Sequence, residues 1–353
     1  MKKMYTLFAV LLVAAMLLPA CAPAEADCSS EDVFCVGLVT DVGKINDKSF
    51  NQSAWEGVQQ AESDLGAKVQ YIETADAKDY DKNIATFADE NYDVIVTVGF
   101  GMGEATAKAA GLYPNVDFVG VDQFQAWEYD GDDSTNIANV AGLNFPEDNA
   151  GFLVGALAAM MSESHAIGAV CGTDVVPPVW RFGEGYKAGA AYADGMMGST
   201  TEVFVVYHSD VGFDKTFTDP EWGAQTAQSM MDQGADAIFG CGGITGNGAI
   251  TAAAQAGAYA IGVDADQYFT LPEAAPRMLS SAMKLITPGV FELVKLSNEG
   301  SLPSGNFFGT AGYAPYHDLD SEVPADVKAE MENIFNGLAD GSITTDVPPV
   351  KPE

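Results

Sequence analysis

The residues best suited to chemistry crowd into one short loop, Asp41-Val-Gly-Lys-Ile-Asn-Asp-Lys-Ser-Phe-Asn-Gln52. Its carboxylates, Asp41 and Asp47, can accept N–H and O–H donors or hold a proton, and Asn51 can both donate and accept. Two further aspartates close apolar runs, Asp122 in Gly120-Val-Asp-Gln123 and Asp264 in Ile261-Gly-Val-Asp-Ala-Asp-Gln267, and Lys284 closes Ser280-Ser-Ala-Met-Lys284. Such a set suits the hydrogen-bonded capture of a polar ligand. As a carboxylate group, Asp41, Asp47 and Asp264 could instead activate water in a hydrolase.

Other chemistry has less support. Gly-x-Ser-x-Gly, Walker A and Gly-x-Gly-x-x-Gly sequences are absent. The nearest dinucleotide-like pattern, Gly183-x-Gly-x-x-Ala188, follows Pro177-Pro-Val-Trp-Arg181 rather than a strand. His165, His208 and His317 are scattered and no Cys-x-x-Cys occurs, so neither a metal nor a cofactor is called for. Glycines after strand-like runs suit tight βα turns or close backbone approach to a ligand.

The elements that must position these residues can be read from apolar periodicity. Val36–Val39 predicts a buried strand, and Ser49 with Gln52 predicts a capping box. That box would open a helix whose apolar face is Ala54, Val58, Ala61 and Leu65. Strand-like runs at Lys68–Ile72, Val94–Val98 and Val116–Val121 alternate with helical stretches, giving a parallel sheet with helices on both faces. A second series runs from Ala166–Val170 through Glu202–Tyr207 and Ala235–Phe239 to Tyr259–Val263. A loop between a strand and a helix N-terminus lies at the carboxyl end of a sheet, where α/β proteins bind ligands. The expected class is α/β: two Rossmann-like lobes with a cleft between them. Ser280–Leu285 and Asn306–Tyr313 are extended, with helices predicted at Pro288–Leu296 and Pro324–Leu338.

The run Asp41-Val-Gly-x-Ile-Asn-Asp-Lys-Ser-Phe-Asn-Gln52 resembles the signature of the basic membrane protein (BMP) family, nucleoside-binding lipoproteins that serve ABC transporters. Gly120–Gln123, Thr216–Pro220, Gly240–Gly248, Ile261–Gln267 and Ser280–Lys284 resemble further segments of that family, in order. The resemblance covers most of the mature chain. It implies a type I periplasmic binding protein fold with a three-crossover hinge. The implied division is 31–143 with 285–303 as lobe one, 144–284 with 304–345 as lobe two, and 346–353 as a loose tail. It also implies a site. Phe50 and Phe217 would stack on a base, and Asp41, Asn51 and Asp122 would meet its edge. Asp264, Gly242, Gly243 and Lys284 would hold the ribose, with Lys284 neutralising Asp264. Lys44 stands where many members have glycine, and Trp127 with the acidic insert 128–133 has no counterpart.

The chain opens with Lys2 and Lys3, an apolar run from Leu7 to Leu18, and Leu18-Pro-Ala-Cys21. That pattern reads as a signal peptide over 1–20, too short for a stable span. The last four residues resemble a bacterial lipobox, which implies a lipid on Cys21, a tether over 21–30 and a place on the extracytoplasmic membrane face. Sixteen Lys and Arg against 50 Asp and Glu give a net charge of −34, and loss of Lys2 and Lys3 would make it −36. Such a field repels nucleic acid and anionic metabolites and permits a neutral ligand. It fits a saline habitat and plain solubility equally. Cys28 and Cys35 could staple the tether to the first strand. Cys171 and Cys241 end apolar runs and could be bridged if those runs are neighbouring strands.

The expectation is therefore a monomeric, lipid-anchored binding protein that captures a purine nucleoside for an ABC importer permease and does no chemistry on it. The rivals are a secreted nucleoside hydrolase and a sugar or signal-molecule receptor of the same fold.

Overall fold

The computed structural model describes residues 28–30, 32–125 and 136–352. The signal peptide, Cys21, most of the tether, Trp127 and the acidic insert lie outside the described residues. Among the described residues, no helix is long and apolar enough to cross a membrane.

The first series comprises β1 (Cys35–Val42), α1 (Phe50–Leu65), β2 (Lys68–Thr74), α2 (Tyr80–Asp89), β3 (Val94–Val98), α3 (Gly103–Leu112), β4 (Asp117–Val121) and β5 (Val140–Asn144). The second opens with α4 (Glu147–Met161), β6 (Ala166–Cys171), α5 (Pro177–Met197) and β7 (Glu202–Tyr207). It continues with α6 (Pro220–Asp232), β8 (Ala237–Cys241), α7 (Gly243–Ala256), β9 (Tyr259–Asp264) and β10 (Met278–Lys284). The chain ends with α8 (Ile286–Asn298), β11 (Gly305–Phe308), β12 (Ala311–Tyr313) and α9 (Ala325–Asp340).

These strands form two six-stranded sheets, ordered β11-β5-β4-β3-β1-β2 and β12-β10-β9-β8-β6-β7. Pairing is parallel throughout, apart from antiparallel β12 on β10. Strands such as Val94–Val98 are buried along their whole length because helices cover both faces, which is why they read as unbroken apolar runs. In both sheets the strand order reverses beside the first strand of the series, between β1 and β3 and between β6 and β8. A crevice opens there at the carboxyl ends.

The chain crosses between sheets three times: after β5, after β10, and between β11 and β12. The crossing strands bond to one another, Gly309 N–H to Asn144 O at 2.8 Å and Leu285 N–H to Thr310 O at 2.9 Å. After the second crossing α8 lies on α1, where a Cβ at Gly57 would stand 2.6 Å from Thr287 O.

Two expectations need correction. The stretch 306–313 is two strands in different sheets, so residues 305–308 belong with the first sheet and not with lobe two. The reason is the hinge itself: an extended run carries no mark of where it changes partner. The expected loose tail is tied down by Lys351, which pairs with Asp174, and just before it Thr345 Oγ1 donates to Asp148 Oδ2 at 2.6 Å. Both cysteine pairs form disulfides, with Cα separations of 5.8 Å for Cys28–Cys35 and 4.3 Å for Cys171–Cys241. The second pair occupies matched positions on β6 and β8.

Candidate ligand-binding site

A cavity lies between the two sheets, at the carboxyl ends of their strands. It encloses about 740 Å³ of space, counting what opens to solvent. All nine residues expected to form the site line it: Asp41, Phe50, Asn51, Asp122 and Phe217, with Gly242, Gly243, Asp264 and Lys284.

The loop after β1 is organised by Asp47. Its carboxylate accepts the backbone N–H groups of Ser49 (3.0 Å), Asn51 (2.9 Å) and Gln52 (3.1 Å), and Asn51 Nδ2 at 3.2 Å. The expected Ser49–Gln52 capping box is therefore absent, and Asp47 caps α1 instead. Burial pushes Asp47 up to about 6 despite those donors. Burial and the charge of Asp47 push Asp41 up to about 7; a hydrogen bond with the Asn51 side chain lowers it by more than the charge of Asp122 raises it. Gly99, at φ +112°, makes room for Asp41: a Cβ there would lie 2.4 Å from Oδ2.

Released from capping, Ser49 reaches the other lobe. Its Oγ lies 2.7 Å from Asp264 Oδ2 and 3.2 Å from Val263 O. Asn247 Nδ2 donates to Asp47 O (2.7 Å), and Gln267 Nε2 (3.1 Å) and Thr270 Oγ1 (2.8 Å) donate to Lys48 O. Loop 47–49 is thus held across the cleft, and the lobes are closed on one another.

Lys284, expected to neutralise Asp264, pairs with Asp122. Its Nζ is 2.7 and 2.6 Å from the two carboxylate oxygens of Asp122, and 3.5 Å from Glu147. Asp264 accepts from Ser49 instead. Burial alone would lower Lys284. Asp122, Glu147 and Asp264 outweigh burial and hold it above the usual lysine value. Burial presses Asp122 and Glu147 upward, and Lys284 opposes it at both. Arg181 completes the floor, 3.0 Å from Glu147 and paired with Asp148. The Lys284 ammonium also faces the rings of Phe50, Phe145 and Phe182 at 5.0, 5.2 and 5.8 Å, favourable contacts for a buried cation.

Asp122 and Asp264 close equivalent strands, β4 and β9, at φ of +60° and +63°. Both follow Gly-Val. Left-handed backbone at non-glycine residues is costly and clusters at ligand sites. Phe217 meets Phe213 edge-on at 5.7 Å and sits over Gly172, where a Cβ would collide with its ring at 2.1 Å. Gly242 approaches backbone rather than leaving open space, since its Cβ would stand 2.7 Å from Gly172 N. Gly243 opens α7.

Comparison with known proteins agrees with this architecture. The family model Bmp, described as ABC transporter substrate-binding protein PnrA-like, matches residues 34–308. This chain belongs to the Bmp family. It is 28% identical to the ABC transporter nucleoside-binding protein BmpA of Lactococcus lactis subsp. cremoris, over 97% of this chain and 98% of that one. It is 29% identical to an uncharacterized lipoprotein of Pyrococcus abyssi, over 76% of this chain and 65% of the relative. An ABC transporter solute-binding protein from Aeropyrum pernix K1 superposes with a TM-score of 0.76 at 26% identity, covering 88% and 92% of the two chains. The Bmp family is one of transporter substrate-binding proteins, not of enzymes.

The Bmp site contains residues that sequence reasoning passed over. Phe182 and Phe213 line it, and Glu147 and Arg181 lie beneath it. Phe213 was findable, four residues before Phe217 in the same loop. Nothing local marks Glu147 and Arg181, whose role depends on where Lys284 ends.

Proposed function

We propose that this chain captures a purine nucleoside for an ABC importer, as a monomer tethered to the extracytoplasmic membrane face through a lipid on Cys21. The base lies between Phe50 and Phe217, where stacking contributes on the order of 1–3 kcal/mol per contact. Asp41 and Asn51 meet its edge. Asp264 accepts from the ribose hydroxyls, and Lys284, held by Asp122, donates to sugar oxygens. Hinge closure then presents the joined lobe surface to the permease.

What supports this is that two aromatic rings, an accepting edge and a charged floor, drawn from segments over 200 residues apart, line one cavity. The name of the Lactococcus relative agrees with it.

Mass spectrometry of small molecules released by denaturing the purified protein tests it. A purine nucleoside is expected. Adenosine, guanosine or inosine should also raise the melting temperature, since a hundredfold excess over Kd stabilises by about 2.7 kcal/mol. Release of a pentose or hexose, with no response to nucleosides, overturns the proposal. Liberation of free base from inosine would reinstate the hydrolase.

A further inference from the structure

The wall formed by Asp41 and Asn51 offers acceptors without matching donors. Asn51 Nδ2 donates to Asp47 Oδ2 at 3.2 Å, which sets the amide's orientation, because a carboxylate can only accept. Its Oδ1 is thereby turned away from Asp47, buried and without a hydrogen-bond partner, on a side chain that lines the cavity. A buried acceptor of this kind is destabilising until a donor meets it. Beside it, Asp41 lines the same cavity.

Of the groups around Asp41, the Asn51 side chain opposes its rise through a hydrogen bond, and the nearest charges reinforce it. Asp47 lies on its own loop and Asp122 at the end of β4, both carboxylates that raise it. Tyr80, at the start of α2, accepts the Val42 N–H at 3.3 Å. Gly99, after β3, bears no side chain. The two lysines of the cavity are engaged elsewhere, Lys44 by Glu73 at 3.1 Å and Lys284 by Asp122 at 2.6 Å. From the other lobe, Asp264 acts through Asp47 and accepts from Ser49.

We propose that Asp41 and Asn51 select purine nucleosides presenting two adjacent N–H donors, as guanosine does, and that adenosine enters only with a proton carried on Asp41. This deepens, and rests on, the nucleoside function proposed above. The guanine edge carries N1–H beside an exocyclic amino group, so both donors find an acceptor in Asn51 Oδ1 and the Asp41 carboxylate. Adenine offers an amino donor beside N1, a bare acceptor. Facing that wall, N1 meets a lone pair unless Asp41 supplies a hydrogen. A base that leaves such a group unpaired is rejected far more strongly than one that is merely smaller.

The wall therefore discriminates by protonation state. Burial pushes Asp41 up to about 7, so both forms are accessible near neutrality, and both nucleosides are themselves neutral there. Guanosine draws on the ionised form and adenosine on the protonated one, and their affinities move in opposite directions with pH.

Calorimetry on the wild-type protein with guanosine and adenosine, at about pH 6 and about pH 8 and constant ionic strength, tests this. The ratio of guanosine to adenosine affinity should rise by about one to two orders of magnitude between the two. In Asp41→Asn the amide supplies a donor and an acceptor at every pH, so the ratio should become independent of pH and adenosine should gain at about pH 8. A wild-type ratio that does not change with pH, or tighter adenosine binding at about pH 8, overturns the edge selection while leaving nucleoside capture intact. Failure of both nucleosides to bind at either pH overturns both. The wild-type measurement is decisive without the variant.

Discussion

Lys284 Nζ lies 2.6 Å from Asp122 Oδ2, a pair that joins strand β10 of the second sheet to the end of β4 in the first. Both residues are nearly inaccessible, at 2% and 5% exposure. Removing one partner of a buried pair strands the other, at about 3–5 kcal/mol. Lys284→Met should lower unfolding stability by roughly that amount, and adding Asp122→Asn should restore part of it. Urea unfolding of the two variants measures both. Equal stability of wild type and Lys284→Met would mean that the ammonium contributes nothing net to the closed form.

The cavity carboxylates make the ligand-free protein less stable as pH rises. In the folded chain burial pushes Asp41 up to about 7 and Asp47 up to about 6, well above the usual carboxylate value of about 4. Between those limits the folded state binds more protons than the unfolded state, so stability falls from about pH 4 to about pH 7. Asp41 accounts for on the order of 2–4 kcal/mol of that fall. Melting curves across this range should show Asp41→Asn with a flatter profile than wild type. The difference between variant and wild type removes the contribution of the acidic surface, which acts in the same direction.

Closure depends on bonds that do not involve ligand. Asn247→Ala removes the donor to Asp47 O and leaves Gln267 Nε2 without its 2.9 Å acceptor. With ~1–3 kcal/mol per stranded polar group, nucleoside affinity should drop about tenfold or more. Small-angle scattering of the ligand-free variant should give a larger radius of gyration than wild type. An unchanged radius with unchanged affinity would remove Asn247 from the closing contacts.

The two disulfides should differ in worth. Cys171–Cys241 closes 70 residues and Cys28–Cys35 only 7. On the loop-entropy account the first contributes about 4 kcal/mol and the second distinctly less. Denaturant midpoints of Cys171→Ala/Cys241→Ala and Cys28→Ala/Cys35→Ala double variants compare them directly. The reverse order would show that strand-end packing, not chain closure, sets their effect.

The halves of the cavity should separate by ligand. Phe50→Ala should weaken guanosine and free guanine alike, by roughly 1–3 kcal/mol. Asp264→Ala should weaken guanosine alone, since guanine has no ribose. Calorimetry with both ligands tells them apart. Equal loss of guanine in Asp264→Ala would assign that residue to closure through Ser49, whose Oγ it accepts at 2.7 Å.

Local signals in the amino-acid sequence carried the architecture. Apolar runs of strand length, such as Val94–Val98, and the helical face Ala54–Val58–Ala61 report burial on two periodicities, and burial is what a sheet covered on both faces demands. The aspartates that end β1, β4 and β9 were legible for the same reason, because a strand's end marks the ligand side of such a sheet. Partner choice was not legible. Ser49 looked like a helix cap until Asp47 took the amide donors and left its hydroxyl to Asp264, 215 residues away. Lys284 could have met any cavity carboxylate. Its place at the end of β10 brought it to Asp122, 162 residues distant. The run 306–313 divided between two sheets because the hinge crosses there, and Cys171 met Cys241 because β6 and β8 are neighbours in register. Each of these is a meeting of segments remote in the chain, set by how the strands order within a sheet or how the two lobes close, and no local pattern of residues encodes such a meeting.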